Sequence, residues 1–520
     1  MVSPPVLDTS AGVPISSVAN DPGLSLRTDG RSITGDPVTV EGVEVSTDHW
    51  IGGRRVASPD TFSDLSPIDG YTIAHVARGG AREVEAAVVA ARAATSTWGS
   101  TPPDDRAGVL HAIADGIEAR VPEFAGVETR DNGSLLRSMR DSVMPRVARN
   151  FRFFADRLLE LGGPHTDFNG FTEQVSWDPS GVAVVITPWN APLMLATWRV
   201  APALAAGNTV VLKPPEWAPL TASLLADIAH ETGLPEGAFN VVQGIGEEAG
   251  AALVSHPDVD RVAFTGSVQT GKLVAVAAGA NLTPVSLELG GKSPFIVFAD
   301  ADLDAAVKQA VGQFDNAGQV CLAGTRLLVQ REVYDAFLDR FLEVAVAIRQ
   351  GDPRHDDTDI GPQITREHLD RVDGFVQRAK ADGAKAILGG GPNEELGGLY
   401  YRPTLFVDAP QGSEILTQEV FGPVLTLQPF ADEDEAIASA NGTQHGLAAI
   451  LYTGDAERAE RVSSRLVAGT VWVNCFFVRD LDAPFGGARH SGIGREGGIW
   501  SFDFYADVKN VCTAPWNEGS

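Results

Sequence analysis

Cysteine, methionine and basic residues are all scarce in this chain. Three cysteines stand among 520 residues, at 321, 475 and 512. They are too few and too scattered for a disulfide framework, and none has the C-x-x-C spacing of a zinc site, so no metal is expected. A reducing cytoplasm fits such thiols. Lys and Arg number 40 against 68 Asp and Glu, a net charge of −28. That balance argues against a phosphate-neutralising face and therefore against nucleic acid as a partner. No stretch approaches the ~18–20 consecutive apolar residues of a membrane helix. The N-terminus lacks a basic start followed by an apolar block and carries Asp8 and Asp21, so no secretory or mitochondrial signal is expected. No repeat of solenoid length is present.

What is there describes a soluble globular protein, 44% hydrophobic and 21% charged. The length exceeds one core and predicts two or three domains. Residues 1–47 are rich in Ser, Pro, Gly and Asp with little periodicity and read as a flexible extension. From about 180, apolar runs alternate with amphipathic ones. GVAVVI (181–186), NTVVLK (208–213), FNVVQG (239–244) and RVAFTG (261–266) read as strands, and ASLLADIAHETG (222–233) as a helix stopped by Gly233. This alternation predicts a mainly parallel α/β sheet covered on both faces. Ligands bind beyond the carboxyl ends of such strands. Thr187-Pro188-Trp189-Asn190, Lys213 to Glu216 and Thr265-Gly266-Ser267 occupy those positions.

A second α/β block follows. SPFIVFA (293–299) reads as a strand. Leu303, Ala306, Val307, Ala310, Val311 and Phe314 then make one helical stripe, and TRLLVQ (325–330) is the next strand. Cys321 therefore falls in a helix-to-strand turn, where a side chain can be presented rather than packed away. A thiol becomes a good nucleophile as thiolate, so it needs a favouring environment or a base. Glu288, in SLELGGKSP, is an unusual carboxylate in an otherwise apolar strand, followed by two glycines. Asn190 could donate an amide N–H to an oxyanion. Lys213 and Glu216 could hold ribose hydroxyls. GIGEEAG (244–250) has the wrong glycine spacing for a dinucleotide loop; FTGSVQTG (264–271), with Gly266 and Ser267 opening a helix, is the better phosphate site.

The ordered series TPWN, KPPE, FTGS, LELGGK, GQVC, EVFGPV and PFGGARHSGIGRE, spanning about residues 48 to 515, resembles the aldehyde dehydrogenase superfamily. The resemblance implies an NAD-binding Rossmann-like domain (48–155 and 182–288), an α/β catalytic domain (289–498) and a small β oligomerisation arm (156–181 and 499–520). It implies Cys321 as nucleophile, the Asn190 amide and the Cys321 N–H as oxyanion donors, and Glu288 as the base for thioester hydrolysis. It also implies that Lys213 and Glu216 bind the adenosine ribose, with the acid at 216 favouring NAD over NADP. Thr187, Pro188, Trp189, Gly266 and Ser267 would line the dinucleotide path, Glu419 would grip the nicotinamide ribose, and Phe421 would pack near the ring. Gln418 stands where the motif often has an acid. A homodimer or homotetramer in the cytoplasm, acting on a small-molecule aldehyde, is implied as well.

TPWNAPLMLATWRVAPALAAGNTVVLKPPEW and SGIGREGGIWSFDFYADVKNV resemble the muconic-semialdehyde subgroup, 5-carboxymethyl-2-hydroxymuconate semialdehyde dehydrogenases among them. A carboxylate-bearing substrate calls for arginine. Arg479, before the Phe-Gly-Gly motif, and Arg146, of the trio Arg146, Arg149 and Arg152 in PRVARNFRFF, are the candidates. The alternatives are an aliphatic or betaine-type aldehyde dehydrogenase, a thiol esterase without cofactor, and a non-catalytic binding protein of the same fold.

Overall fold

Two sheets carry the chain. The structure, a computed structural model, describes residues 37–163 and 165–516. The first sheet has eight strands, in the order Gly492–Ile493, Val285–Leu289, Arg261–Gly266, Val182–Ile186, Thr209–Lys213, Phe239–Val241, His49–Ile51, Arg54–Val56. The five from Val285–Leu289 to Phe239–Val241 are mutually parallel, and the outer pairings are antiparallel. Their Val-rich sequences suit burial on both faces. The chain runs outward from Val182–Ile186 through Thr209–Lys213 to Phe239–Val241. It then crosses back to lay Arg261–Gly266 on the other side. That reversal opens a crevice at the carboxyl end of Val182–Ile186.

The second sheet has seven strands, in the order Lys385–Leu388, Thr404–Val407, Val424–Phe430, Arg326–Gln330, Pro294–Val297, Ala448–Tyr452, Thr470–Val473. All its pairings are parallel except that of Lys385–Leu388 at the edge. The chain passes between the sheets through Gly290-Gly291-Lys292-Ser293, so strand Val285–Leu289 of one sheet feeds Pro294–Val297 of the other. A third sheet has Phe171–Pro179 at its centre, flanked by His165–Phe168 and by Ala506–Thr513, the latter in a register running from Ala506↔Pro179 to Thr513↔Thr172.

Three expectations need correction. Residues 38–45, placed in the flexible extension, form a hairpin of Val38–Val40 with Val43–Val45. Glu41 and Gly42 turn it with φ of 48° and 83°, the positive pair a tight two-residue turn demands. Val40 and Val45 drop into the core beside Trp50 and Val76. The remainder of the expected extension, residues 1–36, lies outside the described residues. The cut at 155/156 falls inside helix Met144–Leu159, whose Phe151, Phe154 and Leu158 pack into the same core as helix Pro192–Ala205. Gly492–Ile493, expected in the catalytic segment, is an edge strand of the first sheet and pairs with Leu287 and Glu288.

Candidate active site

The thiol loop is bent by backbone that few side chains accept. Helix Leu303–Val311 runs into a 3-10 segment, Gly312–Gly318, that breaks at Asp315. Asn316, Ala317 and Gly318 then follow with φ of 49°, 54° and 72°. Left-handed backbone costs a non-glycine residue about 1 kcal/mol or more, so this run needs support. Ser134 Oγ donates to Asn316 Oδ1 at 3.0 Å, Asn316 Nδ2 to the Asn190 carbonyl at 3.1 Å, and Gln319 Nε2 to the Asn316 carbonyl at 3.0 Å. Gly318 admits no larger residue, because a Cβ would run into the Gly422 carbonyl. Cys321 emerges two residues after this support ends, half-buried and free of any disulfide.

Asn190 reaches the same loop from the end of strand Val182–Ile186. Its Nδ2 donates to the Gln319 carbonyl at 2.9 Å. An amide has two such protons, so the second remains for an incoming oxyanion. Thr187, just before it, is buried with no partner for its Oγ1.

Glu288 is buried on strand Val285–Leu289, between Thr265 and Gly492 of the flanking strands. Its Oε1 lies against Gly486 and has no hydrogen-bond partner. Burial, and then the neighbouring Glu496, push its pKa up to about 8, while Arg199, Arg479 and Arg495 pull the other way. The Cys321 thiol is pushed up to about 12 by burial, Glu419 and Glu288, eased by its own backbone N–H and by Arg479. Burial and the two neighbouring carboxyls thus favour the protonated thiol in this arrangement.

Sequence reasoning missed the pair beneath Glu288. Arg199, 1% exposed, ion-pairs with Glu496 at 2.7 Å. Glu496 also accepts from Trp198 Nε1 at 2.8 Å and Ser286 Oγ at 3.1 Å. A charged residue inside the apolar helix Pro192–Ala205 was the available signal.

At the end of strand Thr209–Lys213, Lys213 Nζ meets Glu216 Oε2 at 2.7 Å. Burial alone would raise the Glu216 pKa, yet the Lys213 ammonium holds it below the usual carboxylate range. Ser267 is exposed at the start of helix Val268–Ala280, its Oγ accepting from Thr270 N at 3.1 Å. Gly266 sits against the Phe264 ring. Glu419 points back at the crossover: its Oε1 accepts from Gly291 N at 2.9 Å, and burial pushes its pKa up to about 7. Phe421, at φ 60°, meets Trp189 edge-on, centroids 5.3 Å apart.

The arginines converge on one ring. The Arg479 Cζ lies 4.5 Å from the Trp198 centroid and 3.7 Å from that of Phe485. Arg146 Cζ lies 5.3 Å from Trp198, with its Nε on Asn150 Oδ1 at 2.8 Å. Burial lowers the Arg146 pKa to about 9, with Arg479 and Arg149 adding repulsion. Burial brings Arg479 down to about 10 against the pull of Glu496, Glu288 and Cys321. Arg479 Nε and Nη2 have no hydrogen-bond partner. Arg149 is exposed, and Arg152 pairs with Asp115 and Glu118 at 2.5 and 2.6 Å. A cavity of about 510 Å³ borders the thiol loop at Asp315, Val320, Phe476 and Phe477, but Cys321, Glu288 and Asn190 do not line it. Among the described residues no helix is long and apolar enough to cross a membrane.

Comparison with known proteins bears on this geometry. The aldehyde dehydrogenase family model matches residues 55–511. A 2-hydroxymuconic semialdehyde dehydrogenase of Pseudomonas sp. (strain CF600) is 44% identical over 480 residues, covering 89% of this chain and 98% of the relative. The crystal structure of HpcC from Thermus thermophilus superimposes with a TM-score of 0.88 at 42% identity, over 92% of this chain and 98% of that one. Betaine aldehyde dehydrogenase from Staphylococcus aureus, solved in complex with NAD+, gives 0.88 at 36% identity, over 91% and 97%.

Proposed function

The chain belongs to the aldehyde dehydrogenase family and is an NAD-dependent enzyme of it, and we propose that its substrate is a semialdehyde carrying a carboxylate, of the kind released by aromatic ring cleavage. The observation that carries this is the convergence of Arg146 and Arg479 on Trp198. Two guanidinium groups brought together off the surface repel each other, and an anion between them relieves that repulsion. A betaine-type aldehyde, bearing a fixed cation, would meet the same pair as a barrier. The muconic-semialdehyde name of the Pseudomonas relative agrees with this choice.

The residues fit a dinucleotide. Lys213, Glu216, the buried and unpartnered Thr187 hydroxyl and the exposed start of helix Val268–Ala280 all border the crevice where the strand order reverses. In this reading Lys213 and Glu216 hold the adenosine ribose, Thr187 to Trp189, Gly266 and Ser267 line the pyrophosphate path, and Glu419 and Phe421 receive the nicotinamide end. When bound, the dinucleotide supplies the acceptor for the hydride that the substrate carbon loses.

Cys321 attacks the aldehyde carbon. An S–C bond forms, the carbonyl π pair moves to oxygen, and the thiol proton passes to a base. The free N–H of Asn190 and the backbone N–H of Cys321 receive the oxyanion. After oxidation the substrate is a thioester on Cys321. Glu288 takes a proton from water, the hydroxide adds, and the C–S bond breaks to release the carboxylate and the thiol.

Leu273 (66% exposed), Val276 (77%) and Leu282 (88%) leave an apolar stripe along and just beyond helix Val268–Ala280. Exposed Phe168, Phe171, Val508 and Val511 mark the three-stranded sheet. Both surfaces support a homodimer or homotetramer, which we place in the cytoplasm, where its three free thiols stay reduced. A panel of charged and neutral aldehydes, scored by NADH formation, tests the substrate reading: preference for a neutral or cationic aldehyde over the carboxylate-bearing one overturns it.

A further inference from the structure

The short stretch from Gln363 to Arg371 touches both halves of the site. Gln363 Nε2 donates to the Ala317 carbonyl at 3.0 Å, and the Ile364 N–H to Gln319 Oε1 at 3.0 Å. Both acceptors lie in the thiol loop. Thr365 then caps helix Arg366–Ala381 by accepting from His368 N at 3.1 Å. Within its first turns the helix meets the cofactor turn. His368 Nε2 lies 2.7 Å from the Phe421 carbonyl oxygen. Arg371 donates to the Val420 and Glu419 carbonyls at 2.5 and 3.0 Å.

The His368 ring also has a packing role. It is buried and meets the Trp189 ring edge-on, centroids 5.0 Å apart, and the Phe421 ring at 6.0 Å. Trp189 follows a strand of the first sheet, whereas Phe421 leads into a strand of the second. A bulky residue in the left-handed region, as Phe421 is, keeps that conformation only when its surroundings fix it. A carbonyl accepts only, so the ring must carry its proton on Nε2. Burial drives the His368 pKa down to about 4, which leaves the ring neutral with that single proton.

We propose that His368 is a positioning residue: by donating to the Phe421 carbonyl and packing on Trp189, it holds the cofactor turn in the shape that receives the nicotinamide end. The inference rests on the placement of the dinucleotide given above. Gln363, a few residues earlier, braces the thiol loop from the same stretch. Both loops thus lean on one helix start.

The test compares His368→Leu with His368→Gln in the full-length enzyme. NAD affinity is read by calorimetry, kcat and KM with an aldehyde, and Cys321 acylation by p-nitrophenyl acetate without cofactor. Loss of one buried hydrogen bond predicts NAD binding roughly five- to tenfold weaker in His368→Leu. His368→Gln keeps an N–H donor and recovers to within about twofold. Ester acylation is unchanged in both, because the thiol loop keeps its own braces. If His368→Leu does not fold, His368→Asn, whose amide is too short for the Phe421 carbonyl, carries the same expectation. Wild-type NAD affinity in the donor-less variant overturns the proposal. So does equal loss in both variants accompanied by loss of ester acylation, which marks a packing role only. An error in the dinucleotide placement itself shows differently: Phe421→Ala would then leave NAD affinity untouched.

Discussion

Arg479 and Arg146 stand over the same indole, that of Trp198, at 4.5 and 5.3 Å from its centroid. The same Trp198 donates its Nε1 proton to Glu496, whose charge bears on Glu288. The groups proposed to recognise substrate and to activate water thus share one side chain.

Removing one guanidinium tests recognition through KM, since Arg479 also acts on the Glu288 carboxyl and the Cys321 thiol and its loss shifts kcat on every substrate. Arg479→Leu should raise KM for a carboxylate-bearing semialdehyde about 10- to 100-fold, the range of a charge-assisted hydrogen bond. KM for a neutral aldehyde should change by less than about threefold. An equal rise in KM on both substrates would count against carboxylate recognition.

Glu288 sets a pH limb. Its pKa is raised to about 8, so the carboxylate proposed to activate water is the minor form at pH 7 and grows as pH rises through 8. Thioester hydrolysis should accelerate between pH 7 and 9. Glu288→Gln should abolish that limb and leave acyl-enzyme to accumulate. Steady-state rates across the range, with single-turnover NADH bursts, check both.

The Lys213–Glu216 pair should favour NAD over NADP, since an acid beside the ribose repels a 2′-phosphate. Glu216→Gln should raise kcat/KM for NADP relative to NAD by about tenfold or more, the scale of one removed charge contact. An unchanged ratio would place the ribose elsewhere.

Gly318 is the tightest point of the thiol loop. Gly318→Ala puts a Cβ into the Gly422 carbonyl at φ 72°. About 1 kcal/mol or more of strain is expected, with loss of ester acylation greater than loss of NAD affinity. Calorimetric melting and p-nitrophenyl acetate kinetics distinguish the two effects.

The sheets were legible because strands buried on both faces are written as runs of Val, Ile and Leu, and the carboxyl ends of those runs are where Asn190, Lys213 and Ser267 stand. Glycines flanked Cys321 openly. The left-handed pair Asn316 and Ala317 was not legible, since neither residue type announces that backbone and its support comes from Ser134, Asn190 and Gln319. Arg199 and Glu496 lie on elements distant in the chain and become partners only when the helix packs. The Val38–Val45 hairpin did alternate in VTVEGVEV, but its Ser-, Pro- and Gly-rich upstream neighbourhood masked it. GIGEEAG, rejected as a phosphate loop for its spacing, forms a π-helical turn, Gly246–Gly250, instead.

Covalent capture can be observed directly. Glu288→Gln enzyme is mixed with NAD and a carboxylate-bearing semialdehyde, quenched in acid, and its peptides weighed by mass spectrometry. The acyl group should sit on the peptide holding Cys321 and appear only when NAD is present. An unmodified Cys321 peptide, or an acyl group on the peptides of Cys475 or Cys512, would contradict the account.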